Sequence, residues 1–420
     1  MLDNMLGQIA GGADGRALSD IRVLDLSRIL AGPWCTQNLA DLGADVIKVE
    51  RPVAGDDTRV WGPPWLPGQD EDRAADSSYY AAANRGKRSM MVDITTEQGQ
   101  SLIRRLARVS DVFVENFKVG NLKKYGLDYE SIRRENPKII YCSITGFGQS
   151  GPYSHRPGYD FVFQGMGGMM SITGERDDLP GGGPQKVGIA LADIITGMYS
   201  TIAILAAINH RNKSGQGQYI DMSLLDSIVA LGSNQITGYF ASGKVPTRMG
   251  NAHMSLVPYG VYPTSDGHII IAVGNDEQWQ RYCAVMGRED LAADPDFSKV
   301  TGRIVNRERL DAALKETMRA RDSATWLDIL EKNGVPCGPI NTYDQVFENE
   351  QVKHRGLRVD YEREDGARIS TAASPLRLAS TPPCYELPPP MAGQHTDEIL
   401  TELLGVDGNE LESLRKLAVI

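Results

Sequence analysis

Short apolar runs separated by stretches of helical periodicity organise the first 150 residues. IRVLDL (residues 21–26) is almost unbroken in hydrophobicity, the mark of a strand buried on both faces. The loop SRILAGP and the short helix WCTQNLADLG follow, Gly43 marks the helix end, and DVIKVE (45–50) reads as a second strand. A long polar loop rich in Gly and Pro, RPVAGDDTRVWGPPWLPGQDEDRAADSS, interrupts the pattern, and loops of that length usually carry function. The alternation then resumes: RSMMVDI (strand), TEQGQSLIRRLARV (amphipathic helix), DVFVENF (strand), LKKYGLDYESIRREN (helix) and KIIYCSITGFG (strand). Strands alternating with helices predict an α/β fold, a Rossmann-like doubly wound parallel sheet covered on both faces.

The character of the chain changes near residue 230. HIIIAVG is a strand with NDEQWQRYCAVMG and RERLDAALKETMRAR as helices around it, which predicts a smaller α/β domain over residues 230–330. Residues 1–19, acidic and rich in Gly, read as a disordered lead-in, so the large domain is expected to begin at residue 20 and its first part to run to 229. The Gly-rich GMGGMM and PGGGP, and the run GNAHMSLVPYG (250–260), suit either turns or loops that close over a pocket.

Composition narrows the function. A chain of 420 residues, 41% hydrophobic and 23% charged, has room for a large soluble core. Its net charge of −10 argues against a nucleic-acid partner or an anionic membrane surface, so phosphates would need a few placed cations. Five scattered cysteines without CxxC spacing suit neither a disulfide framework nor a zinc site, and inert buried thiols are favoured over catalytic ones. The N-terminus has neither a secretory nor a transit pattern, which makes the cytoplasm the default setting. No HExxH or other metal spacing joins the six histidines, and no GxSxG marks a serine nucleophile. Glu50 ends the second strand where dinucleotide enzymes keep an acid for ribose. The first turn nevertheless lacks GxGxxG, and no Walker A lysine follows, so hydride transfer is disfavoured.

One residue stands out against this background. VGIALADIITGM (187–198) sets Asp193 in a nearly chargeless run, and an ionised carboxylate resists leaving water without a partner or a purpose. Residues 189–208 match a membrane span in length, but Asp193, Thr196, Gly197, Ser200 and Thr201 cluster there, which favours a buried core helix. Asp193 is either the N-cap of that helix or a desolvated nucleophile or base, and the two roles are compatible. Asp160 in PGYDFVFQG poses the same choice more weakly.

The segments LSRILAGPWCTQNLADLGADVIKVERP, SDVFVENFKVGNLKKYGL, KIIYCSITGFGQSGPY, GIALADIITGMYSTIAILAAI, GQYIDMSLLDS and GQHTDEIL together resemble the class III (CaiB/BaiF, formyl-CoA transferase-like) CoA-transferases. The likeness runs from about residue 20 to the end. GDDTRVWGPPW, GYD and HMSLVPYG resemble the succinate–hydroxymethylglutarate type. The lid glycines of the formate enzymes are not matched by GNAHMS, so formate and oxalate are not the expected acids. The resemblance implies an interlocked homodimer, with residues 331–420 completing the large domain and GPINTYDQ carrying the chain back to it. It places the family's nucleophilic aspartate, in a G-x-A-x-x-D segment, on Asp193. It puts coenzyme A against the ends of the first two strands, with Leu30 and Ala31 bordering the adenine and Arg51 near the phosphates. Asn116, Phe117 and Lys124 would line the groove, and Tyr159 and Asp160 would lie near the thioester; Arg88 could add a cation. The implied reaction moves CoA from an acyl-CoA, expected to be succinyl-CoA, to a small carboxylic and preferably dicarboxylic acid, through an aspartyl-CoA thioester and with no permanently bound cofactor. The family's 2-methylacyl-CoA racemases need a histidine where this chain has Tyr159, a phenol too weakly acidic for easy deprotonation at neutral pH. A non-catalytic acyl-CoA-binding protein is the other alternative, and retention of Asp193 argues against it. Arg85 and Arg248 are candidate anchors for the acceptor carboxylate.

Overall fold

The structure, a computed structural model, describes residues 15–68 and 76–420. Most of the lead-in expected over residues 1–19 lies outside the described residues. Leu18, inside it, is a buried core residue.

Six parallel strands form the main sheet: β1 (Arg22–Asp25), β2 (Asp45–Glu50), β3 (Lys87–Met91), β4 (Val112–Glu115), β5 (Ile140–Thr145) and β6 (Tyr219–Ser223). Their order is β3-β2-β1-β4-β5-β6, so the chain winds outward from β1 in one direction and from β4 in the other. The crevice between β1 and β4 is therefore the switch point of the sheet, where ligands of doubly wound folds bind. One face carries α1 (Ala31–Asp41), with Leu39 and Cys35 in its core; the opposite face carries α2 (Glu97–Arg108) through Leu102, Ile103 and Leu106. The helix expected over residues 122–136 is two pieces, a 3-10 turn Asn121–Tyr125 and α3 (Tyr129–Glu135), because Gly126 adopts the left-handed region at φ +63°.

Beyond β5, α4 (Asp160–Met166) leads towards α5 (Leu191–Ser214). Among the described residues α5 is the helix long and apolar enough to cross a membrane, yet Ala192, Thr196, Gly197, Ser200, Thr201 and Ile204 are buried in this fold. These small and hydroxylated residues let α5 press on α1. A Cβ at Gly197 would stand 2.7 Å from the Ala31 carbonyl oxygen, and Thr201 Oγ1 donates to the Cys35 carbonyl at 3.3 Å. After β6 comes α6 (Leu224–Leu231), whose Leu224 and Ile228 join the core beneath α5.

The described residues form two compact units. The larger takes the described residues up to Met169, Val187–Ile236 and Lys353–Ile420; the smaller takes Met170–Lys186 and Thr237–Val352. The smaller unit thus extends past the expected 230–330, and it includes an excursion at 170–186 that local periodicity does not mark. GPINTYDQ lies inside it, and the chain rejoins the larger unit only at Lys353. The smaller unit has its own core around Trp279, Tyr282, Leu310, Leu314 and Trp326 behind the antiparallel strands β7 (Tyr259–Pro263), β8 (His268–Ala272) and β9 (Cys337–Pro339). In the larger unit the returning α7 (Thr396–Leu404) and α8 (Gly408–Lys416) bury Ile399, Leu400, Leu411 and Leu414 against the α2 face.

Beneath the strand ends lies a chain of buried charges. Lys48 Nζ, wholly inaccessible, donates to Asp56 Oδ2 at 2.8 Å and to the Ser27 carbonyl at 3.1 Å. Burial alone would raise Asp56, but the Lys48 ammonium beside it pulls it down to about 2. Asp56 also accepts from Ile29 N at 3.2 Å. That bond restrains Ile29 at φ +72°, a conformation costing a β-branched residue roughly 1–3 kcal/mol. Next to it Arg59 holds Glu50 through two bonds of 2.7 Å. Asp56→Ala should strand the Lys48 charge and release Ile29 together. The expected loss is about 3–5 kcal/mol in the larger unit, read as a lower urea midpoint followed by a probe in that unit; a midpoint like the parent's would show the network to be idle.

Candidate active site

The strands deliver their carboxyl ends to two cavities. The first, of about 460 Å³, is lined by Lys48 and Glu50 in β2 and Arg51 just after it, Asp93 and Thr95 after β3, and Phe117 and Lys124 after β4. The second, of about 620 Å³, is lined by Leu30 and Ala31 at the head of α1, Asn116 after β4, Ile144 in β5, and Tyr159 and Asp193. Arg28 and Phe117 line both. The loop at Arg28 is pinned from β4: Arg28 N donates to Asn116 Oδ1 at 3.0 Å and Asn116 Nδ2 returns a bond to the Arg28 carbonyl at 2.7 Å. The left-handed turn at the next residue, Ile29, separates Arg28 from Leu30.

The expected coenzyme residues therefore divide. Arg51, Phe117 and Lys124 share the first cavity, while Leu30, Ala31, Asn116 and Tyr159 share the second with Asp193. Leu30 and Ala31 thus line a different cavity from Arg51, on the other side of the left-handed turn at Ile29. Arg88 lines neither cavity. It is tied up by Asp45 at 2.8 and 3.0 Å and by Glu398 and Glu402. Arg85 is buried and clamped to Asp41 at 2.7 and 2.8 Å, and Arg248 pairs with Asp177 in the smaller unit. Both are committed as structural cations.

Asp193 is half-buried and lies in the first turn of α5, not at its cap. The N-cap position is Ala190, which offers no side chain to the free amides. The cap comes instead from α4. Asp160 Oδ1 accepts from Ala192 N at 2.6 Å and from Asp193 N at 3.4 Å. Gln164, fully buried one turn on, donates to Asp160 Oδ2 at 2.6 Å and to the Ile189 carbonyl at 3.2 Å, and accepts from Val187 N at 2.9 Å. Asp160 thus takes the amides that would otherwise steady the Asp193 charge, and adds a like charge nearby. Burial first, and the Asp160 carboxylate second, push Asp193 up to about 7. A carboxylate so raised is far more basic than an ordinary one, as nucleophiles in enclosed sites require.

Two neighbours escaped the sequence reading. Tyr79, edge-on against Trp61 at 5.4 Å, is pushed up to about 12 by burial and then by Asp193 and Asp160, so it lies within electrostatic reach of the carboxylate pair. It lies just past the long Gly/Pro loop, where no periodicity marks it. Glu115, at the end of β4, is raised to about 7 by burial. It accepts from Phe117 N at 2.7 Å and from the Ser143 hydroxyl, and so sets the turn that presents Asn116 and Phe117. An acid ending a strand in an apolar run was the available signal.

The model of CoA-transferase family III matches residues 18–396. The chain is 50% identical to a succinate–glutarate CoA-transferase of Agrobacterium fabrum over 386 residues, 92% of this chain and 95% of that one. It is 41% identical to the succinyl-CoA:glutarate CoA-transferase of Homo sapiens over 405 residues, 96% of this chain and 90% of that one. The crystal structure of a CaiB/BaiF family protein from Brucella suis superposes with a TM-score of 0.83 at 47% identity, covering 93% of this chain and all of the other. With a sheet whose strand ends border two cavities that share Arg28 and Phe117, and a basic carboxylate in one of them, this chain belongs to CoA-transferase family III.

Proposed function

We propose that the enzyme transfers CoA from succinyl-CoA to a second dicarboxylic acid, glutarate being the first to test, with Asp193 as the covalent nucleophile. The observation that carries this reading is the half-buried Asp193, raised to about 7, on the wall of the cavity joined to the cationic groove. The coenzyme's phosphates and adenine would occupy the first cavity beside Arg51, Lys124 and Phe117. Its pantetheine arm would pass Arg28 and Phe117 into the second. Arg51 and Arg28 are held side by side by the two oxygens of Asp57, at 2.8 and 2.9 Å, a ready pair of guanidinium forks.

The chemistry needs four carbonyl substitutions and no net proton. Asp193 attacks the thioester carbonyl, and the C–S bond breaks to give a mixed anhydride and CoA thiolate. The thiolate attacks the aspartyl carbonyl, expelling the donor acid as its carboxylate and leaving an aspartyl-CoA thioester. The incoming acid attacks that thioester, giving a second anhydride and thiolate. Attack of the thiolate on the acceptor's acyl carbon then frees Asp193. A dry cavity protects both anhydrides from water, and it is also what raises Asp193. Asp193→Ala should bind CoA but lose exchange by at least about a thousand-fold. Incubation of the parent with succinyl-CoA alone should leave a CoA-sized mass on the peptide bearing residue 193. Turnover by the variant, or unmodified peptide after trapping, would refute covalent catalysis at this residue.

The carboxylate is the reactive form, so kcat/KM should fall as pH drops through about 7. Asp160→Asn keeps an oxygen for the Ala192 amide but removes the like charge. The acid limb should therefore move to lower pH, while staying above the ordinary carboxylate range because burial, the larger cause, persists. Glu115 does not feel this substitution through any described bond, so a limb that stays put would assign it to Glu115 instead.

The homodimer implied by the family has a surface to match. Met198, Tyr199 and Ile202 on α5 and Phe161 and Val162 on α4 are exposed, the kind of apolar surface a second chain covers. Light scattering should return twice the chain mass, and a monomer at micromolar concentration would count against it.

A further inference from the structure

If the substrates are diacids, as proposed above, the carboxylate that does not react must also be received in the second cavity. It enters a chain of net charge −10, next to Asp193 and Asp160, and needs a cation not already taken. Arg28 is engaged with Asp57. Arg156 is different. It lines the cavity, is exposed, and has no carboxylate in ion-pair reach among the described residues. It is nevertheless held in place. Its guanidinium lies 4.6 Å from the ring centre of Tyr153 and 5.4 Å from that of Phe147. Those rings meet edge to face at 5.6 Å, and Phe147 in turn packs edge-on at 5.0 Å against Phe163, which is fully buried. A core aromatic thus carries a rail of rings out to one unpaired planar fork. Stacking fixes the plane of the fork and leaves its N–H edge open, the geometry that suits a carboxylate. Lys118, which also lines the cavity, has a flexible stem, no such rail and no fork.

We propose that Arg156 is the residue that selects diacids, its guanidinium receiving the carboxylate of the acyl group remote from Asp193. The choice between succinate-like acids and neutral-tailed acids of the same length then rests on one bidentate contact, made in donor and acceptor half-reactions alike.

The test compares glutarate with monomethyl glutarate, an acceptor of equal reach with the remote charge masked. Succinyl-CoA is the donor, and kcat/KM for the acceptor is taken from ping-pong analysis. In Arg156→Gln the glutarate-over-monoester ratio should fall by about 10- to 100-fold, as for loss of a charged hydrogen-bonded pair. Arg156→Lys, which keeps charge but not the fork, should fall in between. Calorimetric titration with CoA alone should give the parent's affinity in both variants, and melting curves confirm that they fold. Weakened CoA binding with an unchanged ratio would make Arg156 a phosphate ligand and overturn the assignment; so would an equal loss with both acceptors. The CoA mass on the Asp193 peptide is measured in the same preparations. If it forms normally while the ratio stays fixed, the assignment of Arg156 alone fails. If the parent forms no adduct, the reading of Asp193 fails, and this inference with it.

Discussion

The carboxylate of Asp160, laid across the open end of α5, is the contact on which the site turns. A helix that begins among apolar residues leaves its first amides without partners, and the usual remedy is a capping side chain from the residue before it. Here that residue is Ala190, so the cap is imported from α4. The consequence is electrostatic as well as structural. The amides that could have stabilised Asp193 are spent on Asp160, and two acids share one poorly hydrated corner. Desolvation first and like charge second act against ionisation and push Asp193 up to about 7. One interaction therefore both caps the long core helix and adds to the burial that makes its third residue basic.

Precision at that corner depends on rigidity elsewhere. Lys48, Asp56, Glu50 and Arg59 are buried and mutually paired beneath the ends of β1 and β2. Apolar residues would fill the same space with less desolvation cost. What they could not do is hold Ile29 in a left-handed turn, between Arg28, which lines both cavities, and Leu30 and Ala31, which share the second with Asp193. The charge network fixes the route a long substrate would follow from one cavity to the next.

Much of this was legible from residue order. The strands announce themselves because a parallel sheet is buried on both faces and its segments are apolar throughout: DVIKVE is β2 from end to end. Asp193 was legible for the opposite reason, as a charge where none should be. What stayed hidden depends on contacts across long sequence separations. Nothing near Asp160 says that it caps a helix starting thirty-one residues later, and nothing in SSYYAAANRGK says that Tyr79 comes within electrostatic reach of Asp193. Arg85, Arg88 and Arg248 looked as available as any other arginine; only their partners Asp41, Asp45 and Asp177 show that they are committed. The excursion of residues 170–186 into the smaller unit was unreadable because its Gly-rich flanks fit a surface turn equally well.

An acidic enzyme acting on anions faces a general problem, since its field repels what it must bind. Adding charge would relieve the repulsion everywhere and discriminate nowhere. This chain instead keeps most arginines of the larger unit paired; at the two cavities Arg51 and Arg28 share the single carboxylate of Asp57, and Arg156 rests on rings alone. A guanidinium braced by aromatic faces keeps its orientation without a counter-ion, so it gives up no partner when a carboxylate arrives. On the assignment of Arg156 proposed above, local cations on rigid supports supply both attraction and selectivity.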